Sequence, residues 1–195
     1  MRQSVFDFID NLDTLLAVII GAVLATGGAM VAELVQDRLS QKRKERDAAR
    51  FFGEILSSVD LILDRAIASM EFGERWGDVT QRLFRTALNE AGIYERNRER
   101  LFEIRDIDLR RLIHLHFLTE MVPLVALIDK CREISEVEKE LKITDRHSEI
   151  HRATLLAELD PLNESREGAL TAIVNEHAKT ENICKQLEPL AELTF

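Results

Sequence analysis

Thr14-Leu15-Leu16-Ala17-Val18-Ile19-Ile20-Gly21-Ala22-Val23-Leu24-Ala25-Thr26-Gly27-Gly28-Ala29-Met30-Val31-Ala32 is a run without one charged side chain. Nineteen residues at about 1.5 Å each reach roughly 28 Å as a helix, close to a hydrocarbon core of about 30 Å. Eight of them are Leu, Ile or Val, and the apolar character continues around every face. A single crossing of lipid must be a helix, because only then is every backbone group paired within the segment. The run therefore predicts a transmembrane helix over residues 14–35.

The flanks predict its orientation. Before the run, Arg2 stands against Asp7, Asp10 and Asp13. After it, Gln36 to Arg50 carries Arg38, Lys42, Arg43, Lys44, Arg46 and Arg50 against Asp37, Glu45 and Asp47. A cleaved signal peptide has the reverse charge order. The positive flank stays in the cytoplasm. Residues 1–13 are expected to be a short extracytoplasmic tail, 36–50 a basic juxtamembrane helix, and 51–195 a cytoplasmic helical bundle. The expected location is a bacterial inner membrane, crossed once with the N-terminus out.

Gly21, Ala25, Gly28 and Ala32 share one face of the span. Small residues let two backbones approach closely, so this face is the candidate for membrane self-association into a homo-oligomer. Lys42, Arg43, Lys44 and Arg46 would sit at headgroup level, as a topology signal and as contacts to anionic lipid.

Beyond the span the chain reads as all-α. Proline is rare, strand alternation is absent, and apolar residues recur at three-to-four spacing. Phe52, Ile55, Val59, Ile62, Ala66 and Met70 predict a helix from the membrane to about Phe72, stopped by Gly73 and Gly77. A shorter helix is expected over 79–90, stopped by Gly92, with Ile93 and Tyr94 in a connection packing back on the bundle. A third should start at Asp106 or Asp108, both good caps, and run to about Ile143 through Pro123. A final helix carries Leu155, Leu159, Leu162, Ala169, Ile173, His177, Cys184, Leu187 and Ala191, with a bend at Pro161. The third and last helices would form a long hairpin.

The whole chain is −9, and residues 51–195 keep that full net charge, which disfavours nucleic acid as a general partner. Cys131 and Cys184 are read as small core residues, not a disulfide. There is no glycine-rich phosphate loop and no zinc-finger spacing, and no cofactor is assigned. His116 and His177 are read as packed residues. His147 and His151 stand four apart, a spacing that can hold zinc, but the sequence marks no third ligand.

Arg146-His147-Ser148-Glu149-Ile150-His151 matches the R-[N/D/H]-x3-H pattern and so resembles HEPN domains, which are small helical bundles. The resemblance implies a metal-independent ribonuclease. Arg146 would hold the scissile phosphate, His151 would be the general acid or base, and His147 would orient them. Two bundles would pair to complete the site, with RNA as the substrate. The layout is also similar to membrane-anchored accessory proteins of CRISPR defence systems. A larger part of the chain, residues 12–142, resembles uncharacterised bacterial single-pass membrane proteins, through Ile93-Tyr94-Glu95-Arg96-Asn97-Arg98-Glu99-Arg100-Leu101. That resemblance implies fold and orientation but no activity. The expectation is a non-enzymatic module that oligomerises or holds a cytoplasmic protein at the membrane. The alternative is a HEPN-like effector, a ribonuclease or a pore-forming accessory.

Overall fold

The computed structural model describes residues 3–143 and 149–195, with side chains from Leu16 onward. Its described residues form helices and contain no strand. The elements are α1 (Gln3–Phe72), α2 (Asp78–Arg96), a short 3-10 helix (Arg98–Glu103), α3 (Ile107–Ile143), α4 (Glu149–His177) and α5 (Thr180–Ala191). The chain divides into two compact units, Met1–Lys44 and Glu45–Phe195. The all-α expectation is met.

The described part of the first unit is helix alone, and from Leu16 onward its apolar side chains lie uncovered. In the second unit, α1 buries Ala48, Ala49, Phe52, Ile55, Leu56, Val59, Leu63 and Ala66. These recur at helical spacing and extend the stripe read from sequence. Gly53 lies in this segment for a reason of space. The ring of the terminal Phe195 occupies the position a Cβ would need.

The second helix is longer than expected. It begins after Gly77 and passes through Gly92 to Arg96. Thr80, Phe84, Ala87, Ala91 and Tyr94 are buried along one face. A helical glycine costs about 1 kcal/mol, and burying one aromatic side chain offsets more than that. Ile93 and Tyr94 are therefore helical, not in a connection. Asn97 closes the helix by donating Nδ2–H to the Ile93 carbonyl at 2.9 Å.

Asp106 opens α3. Its Oδ1 accepts the amide protons of Asp108 at 2.9 Å and Leu109 at 3.0 Å. The helix then continues through Pro123 to Ile143, with Leu109, Ile113, His116, Phe117, Glu120, Leu124, Leu127, Cys131, Ile134 and Val137 buried. It packs along α4. The contacts Glu140–His151 and His116–Glu176 show that the two run antiparallel, as a hairpin.

The last helix is two, broken at Ala178–Lys179, where neither proline nor glycine stands. Its buried face also departs from the expected stripe. Leu155, Arg166, Leu170, Ile173 and Glu176 are buried, whereas Leu159, Leu162, Ala169 and His177 are half-buried. Arg166 and Glu176 are charged, and a stripe drawn through apolar residues passes them by. After α5, Glu192 takes a left-handed conformation at φ 54°. Arg50 donates Nε–H to the Ala191 carbonyl at 2.7 Å, satisfying one of the orphan groups of that helix end.

Candidate functional site

The span comes first, because most of the sequence-predicted residues lie on it. Leu24, Val23 and Met30 leave 69%, 65% and 64% of their surface uncovered. A Cβ added at Gly21 or Gly28 would meet no heavy atom within 4 Å. Ala25 and Ala32 are exposed on the same face. Among the described residues, two helices are long and apolar enough to cross a bilayer, and they differ in burial. None of the apolar window of α1 is buried, against a third of that of α3. The apolar residues of α3 are largely those of the bundle core.

Lys42, Arg43 and Lys44 are exposed. Arg46 differs from them. It is half-buried in the second unit and pairs with Glu192 at 3.3 Å. Its neighbour Glu45 accepts the Arg105 amide at 2.8 Å.

Arg146 and His147 lie outside the described residues. His151, at the start of α4, is exposed and places Nε2 3.1 Å from Glu140 Oε1. Tyr94 meets its expectation as a core aromatic. It is stacked on Phe117 with ring centroids 4.1 Å apart, and its hydroxyl is bonded to His114 Nδ1. Ile93, Tyr94, Asn97 and Leu101 thus have structural roles as packing, stacking, capping and core residues. Cys131 and Cys184 are both free and buried.

The site that sequence reasoning missed is inside the bundle. It joins α1, α3, α4 and α5 around His116, which is 1% exposed. His116 Nδ1 lies 2.9 Å from Glu176 Oε1, and Nε2 lies 3.3 Å from the Thr180 hydroxyl. Burial pulls the His116 pKa down, against the raising effect of Glu176. The ring is then neutral, with Nδ1–H donating to Glu176 and Nε2 accepting from Thr180. Burial also acts on Glu176, but its bonds from Lys179 and His116 outweigh it and hold this carboxyl below its usual range. Lys179 Nζ donates to Glu176 Oε2 at 2.7 Å.

Glu120 stands one turn after His116 and is 1% exposed, and neither of its carboxyl oxygens has a hydrogen-bond partner. The distance from His116 Nε2 to Glu120 Oε2 is 3.8 Å, too long for a bond. Desolvation, reinforced by Asp60 and Glu176, pushes the Glu120 pKa up to about 8. Asp60, on α1, is raised by the same burial, with His177 opposing. His177 Nε2 bonds Asp64 Oδ1 at 3.0 Å, while its Nδ1 lies 3.0 Å from Asp60 Oδ1 without hydrogen-bond alignment. His177 is thus a packed residue, as expected, but its partners are carboxylates.

Chemically, this node gathers titratable groups around a buried imidazole and a buried carboxyl, with Asp60 and Lys179 reaching the surface. Its spacing was readable, since His116 and Glu120 fall within the buried stripe of α3 at four-residue separation. No other polar side chains interrupt the stripe so deeply, and that was the available signal. No group of three or more His, Cys, Asp or Glu among the described residues is arranged to hold a metal ion. Comparison of the chain with protein-family models, curated proteins and solved structures finds no match.

Proposed function

We propose that the protein is a membrane-anchored helical module, a scaffold or oligomerisation unit at the bacterial inner membrane. One observation carries the reading. A segment of α1 that is apolar on every face has nothing covering it. In water such a surface costs roughly 25 cal/mol per Å2, whereas lipid removes that cost. A face of Gly21, Ala25, Gly28 and Ala32 supports pairing with a second copy in the bilayer. The bundle offers a further surface. Leu115, Leu118, Val122 and Val125 lie along one side of α3 and remain exposed. Such a contiguous apolar patch suits a protein partner.

The test is extraction. The full chain should sediment with membranes after lysis, resist alkaline washing and be released only by detergent. Its detergent-corrected mass should be a multiple of 22.3 kDa. Replacing Gly21 and Gly28 with Leu should lower that multiple without releasing the protein from the membrane. Recovery of the unmodified chain in the supernatant of a detergent-free lysate would falsify the anchor.

A further inference from the structure

A second feature of the bundle is independent of membrane anchoring. Between the end of α2, the 3-10 helix and the start of α3 lies an open cleft of about 490 Å3. That volume falls within the range of small-molecule sites, roughly 300–1,000 Å3. Its lining includes Tyr94, Arg98, Phe102, Arg110, Arg111 and His114. Three guanidiniums on one concavity are notable in a chain of net charge −9.

Two of those three are not neutralised. Arg98 and Arg110 have no carboxylate partner within ion-pair distance among the described residues, and Arg111 meets only Asp108, at 3.4 Å on an open surface. Such an exposed pair holds its arginine weakly, by about 0–1 kcal/mol. Burial raises the Tyr94 phenol pKa, outweighing the nearby Arg98 guanidinium, which lowers it. The phenol therefore stays protonated and donates to His114 Nδ1. His114 itself joins the arginines in lining the cleft.

The other wall is apolar and aromatic. Phe102 leaves 79% of its surface uncovered, and Ile107 leaves 60%. The Arg110 guanidinium sits 5.8 Å from the Phe102 ring centre, so a flat cation and a flat ring border the same space. Guanidiniums match phosphate oxygens two at a time, and bases stack on exposed aromatic or guanidinium planes. We infer that this cleft binds a mononucleotide, its phosphate held by Arg98 and Arg111 and its base stacked at Phe102 beside Arg110.

The experiment is calorimetric titration of the full chain in detergent with the four common ribonucleoside 5′-monophosphates. Adenosine and inorganic phosphate are the comparison ligands. At least one nucleotide should bind roughly tenfold more tightly than either comparison ligand. Arg98→Gln together with Arg111→Gln should weaken it by roughly tenfold or more, and Phe102→Ala should weaken the nucleotide but not phosphate. All three side chains are exposed, so unchanged melting curves verify the fold of each variant. Absence of binding by all four nucleotides overturns the inference, as does equal affinity for inorganic phosphate. So does affinity that survives loss of both arginines. Much tighter binding of a single-stranded oligonucleotide than of any monomer would also overturn it. A soluble or monomeric chain that still binds nucleotide would sink the anchoring proposal alone.

Discussion

Glu120 concentrates the physical tension of the bundle in one side chain. Its carboxyl is buried without a partner, so the charged form is costly and the proton is retained up to about pH 8. An unfolded chain releases that proton near pH 4.5. Between those values the folded state binds more protons than the unfolded, so stability falls as pH rises. His116 acts in the opposite sense. Its pKa is lowered from 6.5, so its contribution is lost as pH falls below that value. Above pH 6.5 the pH dependence due to His116 fades and the Glu120 effect prevails. Wild type should lose stability between about pH 6.5 and 8, by an amount on the order of 1–2 kcal/mol. Glu120→Gln keeps the shape and removes the titration. Thermal melts across that window should be flat for the variant and descend for wild type. Equal slopes would show that Glu120 is not the group responsible. A double change of His116 and Glu120 should give less than the sum of the single effects, because the two share one buried site.

Elements are held together here by polar contacts that an apolar pattern does not reveal. Arg166 on α4 is 9% exposed, lies over the Trp76 ring at 4.2 Å and donates Nη2–H to Asn163 Oδ1 at 2.6 Å. Trp76 stands in the connection between α1 and α2, so one guanidinium ties the hairpin to the first two helices. Arg166→Ala should cost about 2–3 kcal/mol through lost stacking and packing. The single tryptophan reports the change, as a red shift of its emission. Arg166→Lys should recover only part of the loss, since an ammonium has no flat face to lay on the indole. The limit of legibility lies here. The core stripe of α1, its stop before Gly73, the Asp106 cap and the run of α3 to Ile143 were all readable, because spacing and caps are local. Three things were not. The passage of α2 through Gly92 depends on the burial of Ala91 and Tyr94 against other elements. The break before Thr180 has no breaker residue. The buried charge of Glu176 depends on His116, 60 positions away, and that of Arg166 on Trp76, while Glu120 has no hydrogen-bond partner to mark it. The Arg98–His114 cleft is of the same kind, assembled from the ends of three elements.

At the scale of the molecule, the charge distribution makes a statement that burial does not. Residues 36–50 carry six basic side chains against three acidic ones, directly after the apolar run. Lys and Arg beside a span resist translocation, whereas Asp and Glu contribute little to orientation. On the proposed single crossing, the acidic bundle therefore has little influence on topology, and the exposed residues Arg38, Lys42, Arg43 and Lys44 are expected to set it, since Arg46 and Arg50 are half-buried against the bundle. Native Cys131 and Cys184 are buried and should be silent to bulky thiol reagents in the folded protein. A single introduced cysteine can then report its side of the membrane. Asp7→Cys should be labelled in intact cells by a membrane-impermeant maleimide, and Ser40→Cys only after the membrane is opened. Changing Lys42, Arg43 and Lys44 to Gln should give a mixed population in which both positions label partly. Removing Asp7, Asp10 and Asp13 instead should leave the pattern intact. If Ser40→Cys labels first in intact cells, the bundle is on the outer side, and the buried thiols Cys131 and Cys184 would face an oxidising compartment.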